Sequence, residues 1–517
     1  MSDKPSFWDK YGETFLLLSA GILMLIRFFD LKYAPFVGDE PTLQYILGEH
    51  IKKGEFPLFG LVGSHGVLYG PTAMWFFYPV RLLTNNVNLI IAFCTTLFMI
   101  AFLLIYFSAR IQVGRKAAAW TLLLLSVSPY LFLYSRSAWD NPFQIFTSAL
   151  AIFFLCLAQK EIENHPRTRT KQLVLYSIMG GFGAGLCFNS HLMSIPFIAS
   201  IGLLYIGFIV SGRLYRALQV KSFASFTVGF LMVSGHYLSL IAPTLVGGGR
   251  FKFTTEALTH QVPGTFLSST LYMSNHYMGY FMDGSLKPIR KTMGFLPGLF
   301  IEADPGWILK IIAWGMIFLT FSYWARSRSI SYLEKLGITL FGMIIFYYYG
   351  VRPIMGQPHY FMPVWWVGFL FVGIGLQRLS NTRLKTASRF IALFAVLINT
   401  YFVISFHKYI KSRSGTQRIH YGTVHTEIKN AVEDVCHKMI QNGDTRVIID
   451  MTETPGLDHA SLRYFFTNLE HCQNKEVIYT SPIYGGNYPE GHWYELAYIN
   501  PDSAKFTFNS TTPKEDR

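Results

Sequence analysis

Long apolar runs constrain this chain more than any other feature, because almost twenty residues at a time pass with little or no charge. A helix needs about 20 such residues to cross a hydrocarbon core of ~30 Å. Spans are read near 14–30, 89–108, 117–135, 142–159, 173–189, 192–211, 223–245, 307–325, 333–350, 360–377 and 389–406, about eleven in all. Composition agrees: 51% of residues are hydrophobic and only 14% charged, against roughly a quarter charged in soluble proteins. The fold class expected is therefore mostly α, a polytopic helical membrane domain. The net charge of +14 is not a nucleic-acid footprint, since no aromatic-interleaved basic patch or nucleic-acid motif occurs.

The first residues, MSDKPSFWDKYGE, mix charges, and no small-x-small cleavage site follows the first apolar run. That run is expected to stay as the first span. Thr72–Leu83 (TAMWFFYPVRLL) is apolar but only 12 residues long, and Pro79 and Arg81 interrupt it. At about 1.5 Å per residue it cannot cross, so it reads as an interfacial or re-entrant helix. With it left out of the count, alternate connections are basic, holding for instance Arg110, Arg115, Lys116, Arg167, Arg213, Arg326 and Arg378. The short connections on the opposite side hold only Arg136 and Arg352. Basic residues collect on the cytoplasmic side. The N-terminus is then expected inside, with the 31–88 loop, the long 247–306 loop and the C-terminal tail outside. Compact size and the lack of targeting signals lean towards a bacterial inner membrane with a periplasmic tail.

Two domains are expected, a membrane domain over 1–406 and an external α/β domain over 407–517. In the second, Arg446–Met451 and Glu476–Thr480 read as strands, and His425–Met439 and His459–Leu469 as helices. Cys94, Cys156 and Cys187 fall inside apolar segments and read as small core residues. Cys436 and Cys472 lie in the polar tail, where a disulfide is open to them in an oxidising compartment.

The stretch from Pro35 to Pro71, PFVGDEPTLQYILGEHIKKGEFPLFGLVGSHGVLYGP, carries the leading candidates. Asp39 and Glu40 stand at the exit of the first span. An external carboxylate there could take a proton from an acceptor hydroxyl or amine as a general base, or both could be solvated loop acids. Leu43, Ile46, Leu47 and Ile51 share one side at helical spacing, as in a helix lying in the membrane interface. His65 could contact a phosphate or a substrate hydroxyl, or be incidental. Arg136, in YSRSAWDNP, suits an anionic head group through its forked guanidinium, or snorkels to the interface. Asp140 on the same turn could pair with it. Arg352 and His359 lie in YYYGVRPIMGQPHYFMPVWW, whose aromatics read as an interface belt.

Taken together, a first span, an external acidic pair, an interfacial helix and then His-x(3)-Tyr-Gly-Pro resemble a known order. It is that of the GT-C polytopic glycosyltransferases of the protein O-mannosyltransferase and aminoarabinose transferase type. YSRSAWDNP resembles the family's Arg-containing segment after the third span. PHYFMP resembles its late Arg-Tyr-x-x-Pro motif, with His359 where arginine is usual. The resemblance covers roughly 1–406. It implies a sugar donor linked to a polyprenyl phosphate and a lipid, glycan or protein acceptor reached on the outer face. It also implies Asp39 as the base with Glu40 supporting it, inversion at the sugar carbon, and cationic residues (His65, Arg136, Arg352, His359) near the departing phosphate. A divalent ion beside Asp39 would suit the acids, but no ligand cluster is visible and no bound metal is inferred.

Two other classes stay open. A transporter or flippase would show internal repeats and charged, interrupted spans near the bilayer centre; no convincing repeat is found. A glycan polymerase or ligase would use a long late loop, and 247–306 holds His260, His276, Asp283 and Arg290.

Overall fold

The computed structural model describes residues 7–62, 68–164, 170–211, 215–246, 305–326, 330–346, 362–380, 382, 384–415, 423–450, 459–472, 475–480, 492–498 and 506–511. Helix α1 (Phe7–Leu25) ends in short 3-10 turns that lead to α2 (Asp39–Lys52) and α3 (Thr72–Leu83). There follow α4 (Val87–Gln112), α5 (Arg115–Val127), α6 (Pro129–Ser135), α7 (Phe143–Asn164), α8 (Thr170–Ser190), α9 (Ile195–Ser211) and α10 (Arg216–Val246). After them come α11 (Pro305–Arg326), α12 (Tyr332–Ile345), α13 (Trp366–Leu379) and α14 (Lys385–Arg413). Among the described residues seven helical stretches are long and apolar enough to cross a membrane: Tyr11–Phe28, Val87–Gln112, Phe143–Asn164, Lys171–Ser190, Leu192–Ser211, Arg216–Ala242 and Met362–Leu379. Each matches an expected span.

The expected span 117–135 is divided into α5 and α6. Pro129 has no N–H to give and pushes the residue before it out of the helical region. Ser128 accordingly sits at ψ 118° and caps α6, its hydroxyl accepting from the Leu131 N–H. The short Thr72–Leu83 helix has the bounds read from the sequence.

Small residues set the helix spacing, as they do where packing rather than the hydrophobic effect joins helices in lipid. A Cβ on Gly181 of α8 would lie 1.9 Å from the Phe226 carbonyl oxygen on α10, and one on Gly229 would lie 2.0 Å from the Ile178 oxygen. On the other side of α8, Gly183 meets the backbone of Ala151 on α7. Helix α5 is buried from Ala117 to Val127 and α13 from Trp366 to Leu376, and Gly373 of α13 packs on Ala117 and Thr121 of α5.

The bundle has two chemically different ends. At one, Gln112 at the end of α4 bonds to the Cys156 carbonyl and the Tyr332 N–H, and Gln219 bonds to Gln159. Arg110, Arg115, Lys160, Arg216, Lys335 and Arg378 stand near these helix ends. The opposite end holds the exit of α1, α2, α3 and the last part of the chain.

That last part is α15 (His425–Asn442), β1 (Arg446–Asp450), α16 (His459–Asn468), β2 (Glu476–Thr480), β3 (His492–Tyr498) and β4 (Phe506–Thr511). The sheet order is β2-β1-β3-β4, with β1 parallel to β2 and β3, and β4 antiparallel to β3. Only the first two strands were read from the sequence. A disulfide joins Cys436 to Cys472. The expected boundary at 406 and 407 falls within α14, a continuous helix. The α/β domain shares one apolar cluster with the membrane domain, in which Phe36, Leu43, Leu47, Phe77 and Ile90 pack with Ile428, Val432, Leu462 and Tyr464. Leu43 and Leu47 of α2, expected at the membrane interface, are therefore fully buried in protein. Helix α16 covers the face that lipid was expected to cover.

Candidate functional site

Gly38 opens the site. Its φ of 67° and ψ of −123° lie where side-chain-bearing residues are strained, and this sharp corner starts α2 at Asp39. Asp39 and Glu40 thus form the first turn of a helix, whose N-terminal dipole favours negative charge. Their side chains part company at once. Asp39 is exposed, and its Oδ2 accepts from the indole N–H of Trp139 at 3.1 Å. Glu40 is buried, with Ser137 Oγ donating to it at 2.5 Å and the Ala138 N–H at 3.3 Å. Burial pushes the Glu40 carboxyl up to about 8, outweighing the two hydrogen bonds, and the Asp39 charge adds to the rise. Glu40 is protonated at neutral pH.

The turn between α6 and α7 thus wraps the acid pair with three consecutive residues. Just before these three stands Arg136, which is buried, donates to the Asp30 carbonyl at 2.7 Å and lies over the Phe132 ring. Just after them stands Asp140, also buried, whose Oδ1 accepts from the Asn141 N–H. Burial, with the charge of Asp39, lifts Asp140 to about 8 as well. An exposed carboxylate thus lies close to two buried carboxyls, and its charge adds to the rise that burial gives both of them.

A second layer ties down the chain that leads to the pair. The Asp30 carboxylate lies 3.3 Å from His407 Nε2 and 3.5 Å from Lys411 Nζ on α14. Beneath it, Arg27 is fully buried and donates to Ser135 Oγ and to the carbonyls of Leu125 and Ser126. The carbonyls of Leu31, Lys32, Ala34 and Phe36 accept from His425 Nε2 (3.1 Å), Thr426 Oγ1 (2.6 Å), the His425 N–H (3.4 Å) and Ser461 Oγ (2.7 Å). Burial drives the His425 ring down to about 4, so it is neutral at ordinary pH, with its one ring N–H on Nε2 to serve Leu31.

Of the residues singled out in the sequence, Asp39, Glu40, Arg136 and Asp140 come together here. His65, Arg352 and His359 lie outside the described residues, as does the 247–304 part of the long loop. Sequence reasoning missed Arg27, Asp30, Ser137, Trp139, His407 and His425. Arg27 carried a signal, being a cation within the first apolar run; the others became visible only through contacts about a hundred or more residues apart. Among the described residues no three acidic, histidine or cysteine side chains gather as metal ligands.

Comparison with known proteins bears on the fold. The structure superposes on the Archaeoglobus fulgidus oligosaccharyltransferase in its apo form with TM-score 0.51 at 13% identity, covering 93% of this chain and 66% of that one. The same organism's AglB, in complex with an inhibitory peptide and a dolichol-phosphate, gives TM-score 0.52 at 13% identity, with 92% and 65% covered. The chain thus spans just under two-thirds of the length of these enzymes. ArnT from Cupriavidus metallidurans, bound to undecaprenyl phosphate, follows at TM-score 0.49, 15% identity and coverage of 83% and 73%. By sequence, residues 68–238 match the family described as dolichyl-phosphate-mannose-protein mannosyltransferase. No curated protein matches the chain. The fold is of the GT-C type, the fold expected from the acidic pair and the segments after it.

Proposed function

We propose that this integral membrane protein is a glycosyltransferase that moves a sugar from a polyprenyl-phosphate donor to an acceptor on the outer face of the membrane. The observation that carries the reading is the contrast at Asp39 and Glu40, one exposed and one buried and neutral, at the head of α2 in a GT-C fold. In this reading Asp39 accepts the proton of the acceptor hydroxyl or amine as that atom bonds to the sugar's anomeric carbon. The bond from that carbon to phosphate oxygen breaks on the opposite face, giving inversion, and polyprenyl phosphate leaves with the electron pair. Glu40, fixed by Ser137 and Ala138, positions the turn and adds no second charge beside the base. Arg136 lends positive potential to the end of the bundle at which the phosphate would be released. Segregation of the basic helix ends to the far end supports the outer-face assignment through the positive-inside rule. So does a disulfide in the α/β domain, since disulfides persist in oxidising compartments.

The test uses membranes supplied with labelled polyprenyl-phosphate sugars. Asp39→Asn is expected to lower acceptor-dependent release of polyprenyl phosphate by on the order of 10²–10⁴-fold, with normal expression and insertion. Transfer near the wild-type rate in that variant removes Asp39 as the base.

A further inference from the structure

The main chain from Asp30 to Phe36 runs between the membrane bundle and the α/β domain as one 3-10 turn, Leu31–Tyr33, that opens into an extended ribbon at Ala34, and it has little hydrogen bonding of its own beyond that turn. Five of its carbonyls are taken by side-chain or backbone donors from elsewhere. Arg136 of the bundle holds Asp30, and residues of the α/β domain hold Leu31, Lys32, Ala34 and Phe36. Pro35 also bridges Val424, and the Phe36 ring stands edge-on to Tyr464 and Phe465 with centroids 5.0 and 6.0 Å apart. Two residues beyond Phe36 comes the Gly38 corner, and then the acid pair. Ala34 and Phe36 are buried, and a buried carbonyl without a donor costs free energy comparable to a lost hydrogen bond; the bonds to Asp30 and Leu31 add a second donor to carbonyls that the turn's own N–H groups of Tyr33 and Ala34 already reach, so together these contacts fix the segment in one place.

We propose that the α/β domain positions the acid pair by clamping residues 30–36, with His425 as the principal positioning residue. Its backbone N–H and its ring together hold two of the carbonyls, and it is buried between the two domains. The domain thus works as the template on which the catalytic end of the first loop is set. The inference rests on the proposed glycosyl transfer for its kinetic consequence and on geometry alone for its structural one.

Two readouts on the full-length protein in detergent separate these. His425→Phe is expected to raise amide hydrogen exchange across residues 30–43. It should also lower the maximal transfer rate on the order of 10-fold or more, as small misplacements at a reacting group do, with donor KM changed by less than about twofold. His425→Gln, whose amide can donate to the Leu31 carbonyl, should restore both. Retained exchange protection in α15 and β1, together with an intact Cys436–Cys472 disulfide, shows that the domain still folds. If His425→Phe loses that protection, the milder pair Thr426→Val and Ser461→Ala takes its place with the same expectations. Unchanged exchange at 30–43 in a folded variant overturns the clamp, and so does raised exchange with an undiminished rate. Should Asp39→Asn keep full transfer, the assigned base falls while the exchange result still decides the clamp.

Discussion

The interior of the helical bundle and the end that carries Asp39 are held together by opposite means. In the bundle, α8 presses glycines against α7 and α10, and α5 is wrapped by apolar side chains of α1, α4 and α13. Contacts there are dispersive, close and repetitive, and many small ones share the load. At the Asp39 end, a handful of directional hydrogen bonds link residues 97 to 425 positions apart in the chain. The first arrangement tolerates the exchange of one apolar group for another of like size. The second depends on single donors. Beside the apolar cluster around Phe36, Leu43 and Leu47, the position of the acid pair therefore depends on few polar contacts, each individually accessible to mutation.

The sharpest way to break the first region is Gly181→Leu. The new Cβ would run into the backbone of Phe226 rather than into a movable side chain, so α8 and α10 must separate. Loss of most folded protein is expected, read as a collapse of the monodisperse detergent-solubilised fraction, where ordinary overpacking costs about 1–3 kcal/mol.

A milder intervention addresses the second region. Glu40 has a folded pKa of about 8, above its usual 4.5. The folded state therefore holds a proton that the unfolded chain has released, and this contribution to stability is complete below about 4.5 and fades as pH rises towards 8. Glu40→Gln keeps the neutral shape and cannot ionise. The variant's melting temperature should fall less steeply than the wild type's as pH rises from 6 to 8, the remaining slope coming from Asp140, whose carboxyl is also raised to about 8; parallel pH curves would place the ionised form of Glu40 in the fold.

The smallest effect is expected where the two regions meet. Tyr464 donates to the Asn85 carbonyl at 2.9 Å and receives Arg81 at 3.3 Å. Tyr464→Phe should cost about 1 kcal/mol, seen in thermal unfolding, with transfer little altered. A loss of transfer out of proportion to that cost would mean that the α3 contact, too, sets the acid pair.

How much could be read beforehand follows the same division. Periodic apolarity reports helices whose partners are any apolar surface, so seven spans, the short Thr72–Leu83 helix and the acid pair were visible in the sequence. The break at Ser128 was legible in principle, since Pro129 stands beside it. Trp139, Ser137 and His425 were not, because each looks like an ordinary turn or helix-start residue until the fold brings its partner. The burial of Leu43 and Leu47 was misjudged for the same reason: an amphipathic face states that it needs cover, not whether lipid or a distant helix provides it.

The clamp also has a schedule. Leu31 and His425 are separated by 394 positions, and ribosomes add about 5–20 residues per second, so roughly 20–80 s pass between the synthesis of the ribbon and that of its template. The first helix must enter the membrane, and the acid pair must reach its side of it, with the braces still unmade. A nascent chain stalled before position 425 would carry its carboxylates in place but unaligned. Under the proposed clamp, alignment of the acid pair waits for synthesis and folding of the segment after position 425.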